Sequence, residues 1–165
     1  MKRTRRPAAA SVDALALFDV LHPEPTWRPW RAFIAAVYGL PMDRHDVELF
    51  RRHTGRDNPR TGGYAEAVAV VGVQSGKTSV AATLAVHAAL SAERGTHALM
   101  LAQDHRSAMR ALLRYAREPF EREPPLTALV ARETADGLEL RSGAAISAYP
   151  CRPAAVRGIR ASIVC

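Results

Sequence analysis

Cysteine is nearly absent: Cys151 and Cys165 are the only two among 165 residues. A disulfide-stapled scaffold is therefore excluded, neither residue stands in a zinc-ligand spacing, and the scarcity fits a reducing, intracellular compartment. Long apolar runs are missing too. The basic opening MKRTRRPAAA is followed by SVDALALFDV, which carries acids, so neither a secretory signal nor a membrane span is expected and the chain reads as cytoplasmic, with no membrane partner. The six histidines are scattered and form no ligand set; His87 and His105 read as surface or local hydrogen-bonding groups. Acids are in deficit. Residues 1–60 hold 11 Lys/Arg against 7 Asp/Glu and residues 61–165 hold 12 against 9, for a net charge of +7. Such a balance attracts a polyanion without telling DNA from RNA or membrane phosphate. Arg51, Arg52, Arg56 and Arg60 are the densest basic group, fitted either to phosphate or to an ordinary solvated surface.

What is present is helical and strand periodicity for one domain with a substantial core. Residues 1–24 read as a basic arm with a short lead-in helix over Asp13–Val20. In WRAFIAAVYG, Trp30, Phe33, Ile34 and Val37 recur at three- and four-residue spacing, predicting a helix with one buried face that Gly39 closes. DVELFRRHTGR predicts another helix ending near Gly55, and DNPRTGG a turn. EAVAVVGV, residues 66–73, has the valine content and length of a buried strand. From Thr78 the pattern becomes helical, with Val80, Ala81, Leu84, Ala85 and Ala88 on one face. ERGTHALMLAQ supplies a turn and a second strand, and HRSAMRALLRYAREPF returns to helix through Met109, Leu112, Leu113 and Ala116. LTALVARE, GLELRSG and AAISAYP read as short strands, two of them a hairpin on the edge of the main sheet, and RGIRASIVC ends in a further core strand. The order predicts an α/β fold with parallel strands joined by helical crossovers.

Between the valine run and the helix stands GVQSGKT, residues 72–78. A phosphate-binding loop works because successive backbone N–H groups face anionic oxygens at the positive end of a helix. Gly72 and Gly76 permit the tight turn, Val73, Gln74 and Ser75 supply backbone donors, Lys77 reaches the β- and γ-phosphates, and Thr78 offers its hydroxyl to Mg²⁺. Val71 stands where the simplest pattern has its first glycine. ATP with Mg²⁺ is thus the expected ligand. Hydrolysis also needs carboxylates. Asp104 follows the second strand, but its neighbours HRSAMR make it a helix N-cap rather than a catalytic acid. No catalytic residue is assigned.

With these residues the chain resembles the ATPase domain of the large terminase subunit of tailed phages, the motor that packages viral DNA. GVQSGKT is similar to that family's variant phosphate loop, with Val73 and Gln74 where basic residues are common. PWRAFIAAVYGL at 29–40 resembles the segment beside the adenine pocket, with Arg31 where a glutamine commonly follows the aromatic residue and Trp30 or Phe33 as an apolar wall. LMLAQDHRSAMRALL at 99–113 resembles the strand and helix after the loop, where Gln103 and Arg106 are candidates for DNA or subunit contacts, or a solvated helix face. SGAAISAYPCRPAAVRGIRASIVC resembles the segment leading into the magnesium-site strand. The resemblance covers residues 25–165 and implies a P-loop NTPase-like parallel sheet flanked by helices, incomplete because the Asp-Glu pair would come after Cys165. It further implies double-stranded DNA, a portal and a small terminase subunit as partners of the complete motor, and a homo-oligomer. A helicase-like P-loop ATPase and a non-catalytic phage remnant or interaction module are the alternatives.

Overall fold

The structure is a computed structural model that describes residues 12–102 and 111–165. The arm and the residues Gln103, Asp104, His105, Arg106 and Met109 lie outside the described residues. The chain divides into two compact units, Asp13–Val80 and Ala81–Cys165, the second taking Val12 with it.

The first unit is helical. Helix α1, Ala14–Leu21, starts at Asp13, whose carboxylate accepts from the Leu15 N–H at 2.9 Å and so satisfies one of the first-turn donors. A 3-10 turn at Pro25–Trp27 leads into α2, Arg28–Tyr38, which Gly39 ends in the left-handed conformation at φ 66°. Helix α3, Arg44–Thr54, is capped by Asp43 and closed by Gly55. The core is Leu15, Leu17, Phe18, Leu21, Ile34, Ala35 and Phe50. Of the expected buried face of α2, Ile34 is buried, whereas Trp30, Phe33 and Val37 are only half-buried and Ala32, Ala35 and Ala36 join Ile34 on the core side. Gly39 and Gly63 meet backbone to backbone: a Cβ on Gly39 would stand 2.5 Å from the Gly63 nitrogen. This approach lets the Tyr64 N–H reach the Val37 carbonyl at 2.8 Å, so the turn at 57–63 folds back onto the end of α2.

Residues 66–73 correct the expectation of a buried strand. They form no strand, make no backbone hydrogen bond among the described residues, and leave Val68, Val70 and Val73 at 88%, 96% and 90% exposure. Strand propensity in β-branched residues is realised only when a neighbour strand pairs the backbone and a face is covered. The sheet takes none of its strands from this segment.

Helix α4, Lys77–Leu90, follows the loop, and the boundary between the two units falls within it. Its buried positions are Val80, Ala82, Thr83, Ala85, Val86 and Ala89, whereas Ala81, Leu84 and Ala88 of the expected face are half-buried. The second unit is built on a five-stranded mixed sheet flanked by helices, in the order β2-β3-β4-β1-β5. Strand β1 is His97–Ala102, β2 Val130–Thr134, β3 Gly137–Leu140, β4 Ala145–Pro150 and β5 Ala161–Val164. β1 lies parallel to both β4 and β5, and β2 and β3 form an antiparallel hairpin continuing from β4. The edge hairpin and the parallel pairing of the apolar strands are as expected, but the parallel pairs are β1–β4 and β1–β5, with no member from residues 66–73. β5, expected as a core strand, is an edge strand with three of its four residues exposed. Helix α5, Leu113–Arg122, buries Leu113, Ala116 and Phe120, and the short helices α6, Pro124–Thr127, and α7, Pro153–Val156, complete the connections. The sheet's centre is Leu99, Met100, Leu138, Ile146 and Ala148. Among the described residues no helix is long and apolar enough to cross a membrane.

Candidate functional site

Residues 72–78 form a turn that runs directly into α4. The left-handed positions are Gln74 at φ 60° and Gly76 at φ 81°. Gly72, expected to supply that freedom, does not use it, and Gln74 does. Among the described residues the backbone N–H groups of Gly76, Lys77 and Thr78 have no hydrogen-bond partner, as expected of the opening of a helix. Lys77 is exposed and makes no ion pair with a described residue, and Thr78 is half-buried. Ser75 Oγ is shielded from solvent without a partner. These are the donors a polyphosphate needs: unused N–H groups, a lysine and a hydroxyl, next to the positive end of a 14-residue helix.

Two tryptophans hold this turn. The Trp30 indole N–H donates to the Ser75 carbonyl at 2.7 Å. The Trp27 ring lies against Gly76, where a Cβ would come within 2.5 Å of the indole. Trp27 also stacks at a tilt on His22, with centroids 4.2 Å apart, and His22 on Phe18 at 4.7 Å. The same aromatic group lines a cleft of about 350 Å³ whose charged walls are Asp19, Glu24, Arg28 and Arg31. Phe18, His22 and Trp27 make the aromatic side of this cleft, while Trp30 packs edge-on against Phe33.

Behind the cleft lies a charged clamp that sequence reasoning missed. Asp46 is fully buried, and its two carboxylate oxygens accept from Arg28 Nε and Arg31 Nη1, each at 3.1 Å. Arg28 also pairs with Asp43, and Arg31 with Asp19 at 2.9 Å. The signal was there: Arg28 and Arg31 on α2 and Asp43 and Asp46 at the start of α3 each stand three apart, one helical face against another. The Arg28 guanidinium is pushed up from its ordinary value chiefly by its hydrogen bond to Asp43. Asp43 is held low, first by the Asp46 backbone N–H and then by Arg28. Arg31 is therefore committed to carboxylates.

The basic group is not one array. Arg51 donates to the Asp57 carbonyl at 2.6 Å, while Arg56 and Arg60 both lie over the Tyr64 ring, at 5.5 and 5.8 Å. His87, expected as a surface or local hydrogen-bonding group, has its Nε2 2.9 Å from the carbonyl of Val12, 75 residues away in sequence. Cys151 is exposed, and burial pushes the Cys165 thiol up to about 11. Among the described residues no three His, Cys, Asp or Glu side chains come together to hold a metal. No protein-family model matches the chain, and among curated proteins none matches it.

Proposed function

We propose that this chain binds ATP with Mg²⁺ through residues 72–78, as part of a DNA-packaging motor of the terminase type. The observation that carries the binding is the turn itself: three consecutive N–H groups, at Gly76, Lys77 and Thr78, without a partner among the described residues, an exposed lysine among them, and a helix running away from them. Lys77 would meet the β- and γ-phosphate oxygens, and Thr78 with those oxygens would hold Mg²⁺. The metal when bound neutralises phosphate charge. The base would take the cleft at Trp27, whose ring also touches the loop.

The wider assignment rests on resemblance along residues 25–165 and on a parallel strand, β5, running beside β1. On this reading the complete motor works on double-stranded DNA with a portal and a small subunit, as a ring of like copies, and the positive net charge suits backbone contacts that ignore sequence.

Titration with a fluorescent ATP analogue, with and without Mg²⁺, tests the proposal. Wild type should saturate, and Lys77→Ala should weaken binding by about 10- to 100-fold, the worth of one charge-assisted hydrogen bond. A folded wild type that binds neither ATP nor ADP would refute it, and strand unwinding by the complete motor would move it to the helicase-like class.

A further inference from the structure

We infer that Trp30 is a positioning residue for phosphate: by holding the Ser75 carbonyl it turns the Gly76 N–H toward the bound anion. The inference rests on the nucleotide-binding reading above and adds to it a residue that no phosphate-loop pattern contains.

In a trans peptide the carbonyl and the following N–H point in opposite directions, and the chain has no cis bonds among its described residues. The Trp30 indole takes the Ser75 carbonyl at 2.7 Å. The Gly76 N–H, on the same peptide, must then face away from α2, and it has no partner among the described residues. Without that anchor the peptide is free to flip, because Gly76 tolerates either hand of backbone. The Trp27 ring against the Gly76 Cα restricts the same unit from a second direction. Ser75 Oγ, shielded and unpartnered, does not compete for the carbonyl or the N–H. A hydrogen bond at the carbonyl also polarises the peptide and makes its N–H a better donor.

Trp30→Phe keeps the ring and removes the donor. Affinity for ATP and for inorganic tripolyphosphate should both fall by about 5- to 10-fold, the worth of one hydrogen bond, and by the same factor, since Trp30 acts on the phosphate side. Affinities equal to wild type would overturn the inference, as would a loss for ATP with none for tripolyphosphate, which would assign Trp30 to the base. A second measurement leaves Trp30 unchanged. In ¹⁵N-labelled wild type the Trp30 indole N–H and the Gly76 amide should shift along one saturation curve as tripolyphosphate is added, the indole signals being told apart with Trp27→Phe. A Gly76 amide that moves while the Trp30 indole stays still would overturn the inference and leave the nucleotide site intact. A folded wild type that binds neither ligand overturns both.

Discussion

Replacing Gly76 by alanine probes how the loop is built, because two separate costs meet at that position. The first is conformational. A φ of 81° lies in the left-handed region, where a side chain costs about 1–2 kcal/mol. The second is steric. The added Cβ would stand 2.5 and 2.6 Å from two ring carbons of Trp27, about 1 Å inside ordinary carbon contact. The indole is backed by His22 at a centroid distance of 4.2 Å, so relief requires moving the ring or the loop, an overpacking cost of about 1–3 kcal/mol. Together Gly76→Ala should destabilise the Asp13–Val80 unit by about 2–5 kcal/mol. In a Trp27→Ala background only the conformational part, about 1–2 kcal/mol, should be left. The cycle should therefore show a coupling of about 1–3 kcal/mol. Urea denaturation of the four proteins, followed by the fluorescence of Trp30 in the same unit, measures it. A cost for Gly76→Ala below about 0.5 kcal/mol, or strictly additive changes, would refute the reasoning.

Other measurements address the clamp, the acid range and the thiols. Asp46→Ala should cost about 3 kcal/mol in the same urea assay, toward the lower end for a broken buried pair because both arginines are partly hydrated. Replacing Arg28 and Arg31 together by methionine should cost more than the sum of the singles, since the buried carboxylate then loses both partners; additivity would argue against the clamp. Asp43 and Glu139 have folded values held below their ordinary ones, Asp43 by the Asp46 N–H and Arg28, Glu139 by Arg132. Their contribution is full above about pH 4.5 and is lost as pH falls through the lowered values, so the urea midpoint should drop below about pH 4 and drop less in Asp43→Asn. With its thiol up at about 11, Cys165 is about 0.1% thiolate at pH 8. Thiol titration of the native protein should thus modify Cys151 first, and equal rates would contradict that order.

Local signals in the sequence carried most of the helical unit. Asp13, Gly39 and Gly55 mark helix ends through side-chain and backbone chemistry that acts within a few residues, and β1, the hairpin and β4 stand where apolar runs and turns put them. The valine run did not become a strand because a strand needs a partner, and pairing is a property of the sheet and not of the segment. Val86 and Ala89, not Leu84 and Ala88, face the core for a related reason: alanine-rich helices give periodicity too little contrast to fix the buried face. At the candidate site the motif was legible in full. Its scaffolding was not, since Trp30 and Ser75 are 45 residues apart, and nothing in residues 72–78 announces that two indoles hold the turn.

The valines at 67–71 have a consequence for the protein as a solute. AVAVV is uncharged, free of proline and rich in β-branched side chains, and here it presents a backbone that no described residue hydrogen-bonds. Such a segment is a template for its own copies, each molecule able to offer the next an unfilled ladder. Mutual repulsion from a net charge of +7 holds molecules apart only over about 10 Å at 0.1 M salt. Concentrated, salty solutions of this protein should therefore thicken into cross-β assemblies that start from these five residues, and a lysine at Val70 should delay them.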